Sequence, residues 1–155
     1  MAVEVGDVAP EFTLPDQNKQ QVSLSQFKGE KSVLLVFYPL AFSGICSGEL
    51  CALRDDLPRF SDQNVQLVTV SVDSVFSHKV WAQQEGFDFP LLADFWPHGE
   101  VAQAYGVFDE NKGVALRGTF LIDTEGVIRY KVVNGVPDAR NQDEYVKAVE
   151  ALTPA

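Results

Sequence analysis

The apolar run Val33–Tyr38 (VLLVFY) is the feature that most restricts how this chain folds. Its residues are apolar or aromatic throughout, and no polar residue alternates with them. A continuous run of this kind predicts a central strand that is covered on both faces of its sheet. Pro39 ends the run, because proline has no N–H group to donate to a sheet ladder. The chain must therefore pack other elements on both sides of a sheet.

The rest of the chain alternates between strand patterns and helix patterns. Further strands are predicted at 65–72, 91–93, and as hairpins at 6–14 with 21–24 and 119–122 with 127–130. Helices are predicted at 46–60, 76–85, 99–105 and 141–152. Hydrophobic residues make up 46% of the composition, which is enough for a packed core. We therefore predict an α/β fold with a mixed central sheet flanked by helices and an N-terminal hairpin, in one domain spanning residues 1–155.

The charge and the apolar segments exclude several classes of function. The formal net charge is −10, which argues against nucleic acid or an anionic membrane as a partner. The N-terminal residues lack the pattern of a secretory signal. The longest apolar run, Val33–Leu40, is far shorter than the roughly 20 residues that span a bilayer. We expect a cytoplasmic protein, and in that compartment cysteines are usually reduced, catalytic or metal-bound.

The two cysteines of the chain, Cys46 and Cys51, follow Pro39 closely. Cys46 lies where the central strand gives way to a predicted helix. A helix N-terminus stabilises a thiolate, so Cys46 is a candidate nucleophile or redox centre. Ionisation of the thiol alone gives only a small increase in rate. A fast thiol enzyme therefore also needs groups that stabilise charge in the transition state. Ser43 lies on the same turn and is either such a group or a helix cap.

The pattern Pro-x-x-x-Ser-x-x-Cys in Pro39–Cys46 resembles the active-site signature of the peroxiredoxins. The resemblance covers nearly the whole chain, since the opening Gly6–Leu14 and the segment Arg117–Asp123 also match. The stretches Phe42–Leu50 and Asp94–Gly99 are most similar to the alkyl hydroperoxide reductase E subgroup. The resemblance implies a thioredoxin-like fold and a thiol-dependent peroxidase that reduces hydrogen peroxide, organic hydroperoxides or peroxynitrite without a cofactor.

The resemblance also implies a role for each matching residue. Cys46 would attack the peroxide and become a sulfenic acid. Ser43 would donate a hydrogen bond to the peroxide, and Pro39 would shield the thiolate from water. Arg117 would stabilise the thiolate and the transition state, while Glu49 would orient Arg117.

Cys51 departs from the alkyl hydroperoxide reductase E pattern, in which many members lack a resolving cysteine. Cys46-x-x-x-x-Cys51 instead resembles the bacterioferritin-comigratory (Q-type) peroxiredoxins, in which the resolving cysteine lies five residues on. In a regular helix the two Cα atoms would be roughly 8.6 Å apart, beyond the range of about 4.4–6.8 Å that a disulfide needs. A disulfide would require the start of the helix to unwind. The alternative is that Cys51 is an inert, small buried residue and the enzyme uses only Cys46.

Other functions remain open at this stage. The reductant would be a thioredoxin, a mycoredoxin or glutaredoxin-type protein, or a low-molecular-weight thiol, and the enzyme would be a homodimer. A redox sensor that oxidises a partner protein is the alternative from another class. A thiol–disulfide oxidoreductase is disfavoured, because it normally uses Cys-x-x-Cys.

His78 and His98 are too far apart in sequence for a typical zinc site, so we expect no metal. Four aromatic residues are assigned either to the core or to a dimer face: Phe42, Trp81, Phe95 and Trp96.

Overall fold

A five-stranded mixed sheet forms the centre of the protein in the computed structural model, which describes residues 3–141 and 143–152. The strands are β1 (Thr13–Pro15), β2 (Gln21–Ser23), β3 (Ser32–Phe37), β4 (Val65–Ser71), β5 (Leu91–Ala93), β6 (Phe108–Asp109), β7 (Val114–Ala115), β8 (Arg117–Ile122) and β9 (Ile128–Asn134). The helices are α1 (Gly44–Asp55), α2 (Leu57–Asp62), α3 (Val75–Glu85), α4 (Glu100–Ala104) and α5 (Asp143–Leu152), and a short 3₁₀ helix spans Leu24–Phe27.

The central sheet has the order β5-β4-β3-β8-β9. Strands β3, β4 and β5 are parallel, whereas β8 runs antiparallel to β3 and β9 runs antiparallel to β8. Strands β1 and β2 form a separate antiparallel hairpin, and β6 pairs with β7. The predicted α/β fold with a mixed sheet and an N-terminal hairpin is confirmed.

Strand β3 is buried on both of its faces, as its sequence predicts. Val33, Leu35 and Phe37 belong to one core. Leu34, Val36 and Tyr38 belong to a second core on the opposite face, which also includes Cys46. The sheet thus separates two layers of packed side chains.

The prediction of one helix at 46–60 is wrong, because the structure has two helices in this segment. Helix α1 ends at Asp55 and α2 begins at Leu57, with Asp56 between them at φ −95° and ψ 4°. Pro58 lies in the first turn of α2. A proline at that position of a continuous helix would remove a hydrogen bond and clash with the preceding turn, so the chain starts a new helix instead.

The other predicted helices are present with small shifts of their ends. Helix α3 ends at Glu85 and is capped by Gly86, whose φ of 69° lies in the left-handed region that glycine readily adopts. Helix α5 begins at Asp143 rather than residue 141, and Gln142 lies outside the described residues. Among the helices that the structure describes, none is both long and apolar enough to cross a membrane.

The topology brings the start of β8 to the same edge of the sheet as the end of β3. Because β8 is antiparallel to β3, with Val36 opposite Thr119, its first residue Arg117 lies beyond the end of β3. The loop that follows β3 and leads into α1 lies at this same edge. The candidate residues of the sequence are therefore gathered there.

Candidate active site

Cys46 is the third residue of α1, and its side chain is completely buried. The preceding Ser43 occupies the N-cap position, with the extended backbone angles φ −75° and ψ 150°. The first hydrogen bond inside the helix runs from Ser47 N to Ser43 O at 2.8 Å. The N–H groups of residues 44–46 precede that bond and have no acceptor within the helix. Cys46 thus lies among free backbone donors at the positive end of the helix dipole.

Arg117 makes the main side-chain contact of the Cys46 sulfur. Its Nη1 donates to Cys46 Sγ at 3.2 Å and to Glu49 Oε1 at 2.6 Å. Its Nε donates to Val136 O at 2.6 Å, so the guanidinium is held at both ends. The Arg117 side chain is only 2% exposed. A buried positive charge at this distance stabilises negative charge on the sulfur far better than an exposed one.

Glu49 links Arg117 to a second arginine, Arg140. Arg140 Nη2 donates to Glu49 Oε1 at 2.9 Å, while its Nε and its backbone N donate to Glu49 Oε2 at 3.0 and 2.8 Å. Burial raises the pKa of Glu49, but the hydrogen bonds and charge of Arg140, with the charge of Arg117, outweigh it and lower the pKa. Glu49 is therefore a carboxylate between two guanidinium groups.

Arg140 is the site residue that the sequence analysis missed. It lies in the loop between β9 and α5, and its Nη1 also donates to Phe37 O, Gly118 O and Thr119 Oγ1 at 2.7, 2.9 and 3.0 Å. It therefore joins the ends of β3 and β8 to α1. Its partner Glu49 is 91 positions away in sequence, so no local pattern indicates the contact.

Ser43 and Pro39 lie in the loop between β3 and α1, which precedes Cys46. In the described part of the chain, the Ser43 hydroxyl donates to Leu40 O at 3.0 Å and not to Cys46. It makes no capping hydrogen bond to the helix either. Pro39 is buried two residues after the end of β3. The structure thus brings Cys46, Arg117 and Glu49 into contact, whereas the Ser43 hydroxyl is turned toward its own loop.

Cys51 lies on the same helix as Cys46, and both are free thiols. Its Sγ donates to Glu85 Oε2 at 3.2 Å, and Arg54 Nη1 donates to Glu85 O at 2.6 Å. Burial raises the pKa of the Cys51 thiol, and the hydrogen bond and charge of Glu85 raise it further. Since both cysteines lie within one continuous helix, their Cα atoms have the roughly 8.6 Å separation of five helical residues. A disulfide cannot form in this conformation.

Neither histidine contacts a cysteine. His78 is buried, and its Nε2 lies 3.1 Å from Tyr38 Oη and 2.7 Å from Ser71 Oγ. Burial lowers the pKa of His78 to about 4, although the charge of Asp73 acts in the opposite direction. The exposed His98 lies 2.7 Å from Gly113 O through its Nε2. Among the described residues, no group of three or more His, Cys, Asp or Glu side chains is placed to hold a metal ion.

Comparisons with known proteins give one consistent result. The model of the AhpC/TSA family matches residues 5–131. The chain belongs to the AhpC/TSA family. Alkyl hydroperoxide reductase E of Mycobacterium tuberculosis is 52% identical over 97% of this chain and 99% of its own length.

Solved structures of other family members have the same fold. AhpC of Enterococcus faecalis superimposes with a TM-score of 0.88 at 31% identity, covering 98% of this chain and 93% of its own. The peroxidoxin BcpB of M. tuberculosis superimposes with a TM-score of 0.87 at 30% identity, covering 97% and 98%. The thioredoxin-like fold implied by the sequence resemblance is confirmed.

Three of the four aromatic residues assigned to the core or to a dimer face are exposed. Phe42 is 49% exposed, Phe95 53% and Trp96 81%, whereas Trp81 is almost fully buried. Trp81 packs against Phe42 with their ring centroids 5.8 Å apart. The core assignment therefore holds for Trp81, and the other three aromatic residues are at the surface.

Proposed function

We propose that Cys46 is the nucleophile of a thiol-dependent peroxidase that reduces hydroperoxides. The contact of 3.2 Å between the buried Cys46 Sγ and Arg117 Nη1 carries this proposal. A sulfur held against a guanidinium at a helix N-terminus has the surroundings of a reactive thiol. The 52% identity with a relative named alkyl hydroperoxide reductase E supports hydroperoxides as the substrate class.

In the oxidation step, the Cys46 thiolate attacks one oxygen of the peroxide and the O–O bond breaks. The sulfur loses two electrons and becomes a sulfenic acid, while the other oxygen takes both electrons and a proton and leaves as an alcohol or water. Arg117 stabilises the charge that moves from sulfur to the leaving oxygen. The start of α1, at the positive end of the helix dipole, favours the thiolate from which the attack begins. Glu49 positions Arg117 by accepting from its Nη1, and Arg140 acts through Glu49, which it holds in place. Val136 O accepts from the Nε of the same guanidinium.

Ser43 and Pro39 complete the proposed site. The Ser43 hydroxyl has to rotate away from Leu40 O, where it lies now, to donate a hydrogen bond to a bound peroxide. Such a rotation needs only a change of side-chain rotamer. Pro39 is buried and carries no N–H group, so it shields the sulfur without competing for it.

We also propose that Cys51 resolves the sulfenic acid. The Cys51 thiol attacks the Cys46 sulfur, a disulfide forms, and the hydroxyl leaves as water with the thiol proton. Because the helix separates the two residues, the first turns of α1 must unwind before the sulfur atoms meet. The hydrogen bond to Glu85 and the contact of Arg54 with the end of α3 support a picture in which Cys51 stays in place and Cys46 moves. The alternative is a cycle that uses Cys46 alone.

The remaining features of the proposal concern partners and location. The reductant is a thioredoxin, a mycoredoxin or glutaredoxin-type protein, or a low-molecular-weight thiol. We propose a homodimer, in which the exposed aromatic residues Phe42, Phe95 and Trp96 would be covered. We place the protein in the cytoplasm, where thiols stay reduced. Both cores share one sheet, which supports a single domain spanning residues 1–155.

Non-reducing mass spectrometry after one equivalent of hydrogen peroxide tests both parts of the proposal. The unmodified protein should lose the mass of two hydrogens as the disulfide forms. Cys51→Ser should gain one oxygen, and Cys46→Ser should stay unchanged. Peroxide consumption by Cys46→Ser at the unmodified rate would overturn the peroxidase assignment. A stable sulfenic acid in the unmodified protein would overturn only the resolving role of Cys51.

A redox sensor that oxidises a partner protein is the second candidate, because the exposed Phe42 in the loop before α1 could contact such a partner. Steady peroxide consumption with dithiothreitol as the reductant separates the two functions. A peroxidase turns over under these conditions, whereas a sensor needs its partner.

A further inference from the structure

The loop at residues 39–43 presents Ser43 and the start of α1, and packing of Ala41 and Phe42 holds it against the core. Few hydrogen bonds between described residues tie it to the rest of the fold. Phe42 lies in the left-handed region at φ 67°, which non-glycine residues rarely adopt. Such a conformation persists only when its surroundings impose it. Of the hydrogen bonds between described residues, the one that ties this loop to another loop runs from Ala41 N to Asp73 Oδ2 at 2.8 Å.

Asp73 is itself held by a buried network. It lies in the loop between β4 and α3, and its Oδ2 accepts a hydrogen bond from Ser71 Oγ at 2.6 Å. Ser71 Oγ lies 2.7 Å from His78 Nε2, which in turn lies 3.1 Å from Tyr38 Oη. Ser71 has one hydroxyl hydrogen and donates it to Asp73, so Ser71 Oγ accepts from His78 Nε2–H. The hydrogen bond from Ser71, which is itself held by His78, therefore fixes the orientation of the Asp73 carboxylate.

This network is separate from the arginine cluster. Arg117, Glu49 and Arg140 contact Cys46 and α1 from the side of β8 and β9. Asp73 contacts the loop before α1 from the side of β4 and α3. The two groups thus fix different parts of the site, the sulfur and guanidinium on one side and the backbone of the loop on the other.

We propose that Asp73 is a positioning residue for peroxide reduction. It holds Ala41 N and thereby fixes the backbone that places Ser43 and the free N–H groups around Cys46. The inference rests on the proposed peroxidase function, because it assigns Asp73 to the same site. A charge-assisted hydrogen bond of 2.8 Å is strong enough to select one loop geometry. Misplacement of reacting groups by about 1 Å costs up to roughly 100-fold in rate.

The test compares the reaction of the thiol with peroxide and with a reagent that does not need the loop. In Asp73→Ala, the second-order rate constant for oxidation of Cys46 by peroxide should fall by about 10- to 100-fold. The rate constant for alkylation of Cys46 by iodoacetamide should stay equal or increase. In that reaction the loop does not orient the reagent, and it can only hinder access of the reagent to the sulfur. Asp73→Asn keeps an acceptor for Ala41 N and should stay within about fivefold of the unmodified protein.

Ser74→Ala is the matched control in the same loop. The Ser74 hydroxyl accepts from Ser77 N at 3.2 Å and caps α3, so its loss weakens α3 without releasing Ala41. This variant should react with peroxide at the unmodified rate. If Asp73→Ala does not fold, Ser71→Ala removes the bond that orients the carboxylate and should lower the peroxide rate constant severalfold.

Each outcome separates this inference from the proposed function. If the unmodified protein does not react with peroxide, the peroxidase proposal fails. If it reacts and the folded Asp73→Ala or, failing that, Ser71→Ala reacts within twofold of it, only the role of Asp73 is overturned. Equal losses in the peroxide and alkylation rates would also overturn it, since they would show a less reactive thiolate rather than a displaced loop.

Discussion

Replacing His78 with glutamine should remove a specific part of the pH dependence of stability. The His78 side chain is fully buried, and burial lowers its pKa to about 4. In the unfolded chain the same imidazole has a pKa of about 6.5. Between these two values the unfolded state binds a proton that the native state does not bind. The free energy of unfolding must therefore fall as the pH falls from 6.5 toward 4.

The size of this effect follows from the two pKa values. A difference of about 2.5 pKa units at about 1.36 kcal/mol per unit corresponds to roughly 3 kcal/mol when the full window is crossed. Between pH 7 and pH 5, most but not all of the window is crossed, and the unmodified protein should lose about 2 kcal/mol from this group. His78→Gln should lack that loss whatever its stability at pH 7.

Urea denaturation at pH 7 and pH 5 measures the difference directly. The unmodified protein should show this loss in full. The loss in His78→Gln should be smaller by about 2 kcal/mol. Equal losses in the two proteins would show that His78 ionises normally in the native state, and the reasoning from burial would be refuted.

The charged groups around α1 give three further predictions. Arg117→Met should slow oxidation of the helix-start thiol by peroxide by roughly 100-fold when the thiol is fully ionised, measured by single-turnover kinetics. Arg140→Met should reduce the free energy of unfolding by about 3–5 kcal/mol in urea, because it leaves buried partners unpaired. Glu85→Gln should shift the pH profile of disulfide formation to lower pH and make it faster at pH 7, since Glu85 raises the pKa of Cys51.

Each of these three predictions has an outcome that would contradict it. An unchanged rate in Arg117→Met when the thiol is fully ionised would mean that ionisation alone explains the effect of Arg117. Arg129→Met removes an ion pair with Asp123 that is 47% exposed on the arginine side, and it should cost less than about 1 kcal/mol. A similar cost for Arg140→Met would contradict the buried network. An unchanged pH profile in Glu85→Gln would show that the hydrogen bond to Cys51 does not control resolution.

Local patterns predicted most of the elements but not all of their ends. The run Val33–Phe37 is a central strand because it has no polar residue that could face water. Gly86 ends α3 because glycine adopts the left-handed conformation at low cost. Pro58 splits the helix predicted at 46–60, although the apolar stripe continues through it. Proline geometry takes precedence there over hydrophobic spacing.

The residues of the candidate site also differ in whether a local pattern predicts them. Cys46 and Ser43 lie on one turn, so their spacing alone places them together. Arg117 was assigned through resemblance and not through spacing, since it is 71 positions from Cys46. Asp73 is 32 positions from Ala41, and Arg140 has no pattern of its own. Those contacts depend on how strands pair, which a single sequence does not display.

The sequence by itself determined the α/β fold, the turn that carries Cys46 and the family resemblance, because each depends on residues close together or on a motif matched in order. Only the tertiary structure decided that Glu49 is shared by two arginines and that the Ser43 hydroxyl faces its own loop. It also decided that Cys51 is held by Glu85. These facts follow from the antiparallel return of β8 and β9 and from the packing of α3 on α1, which bring distant side chains within hydrogen-bonding range.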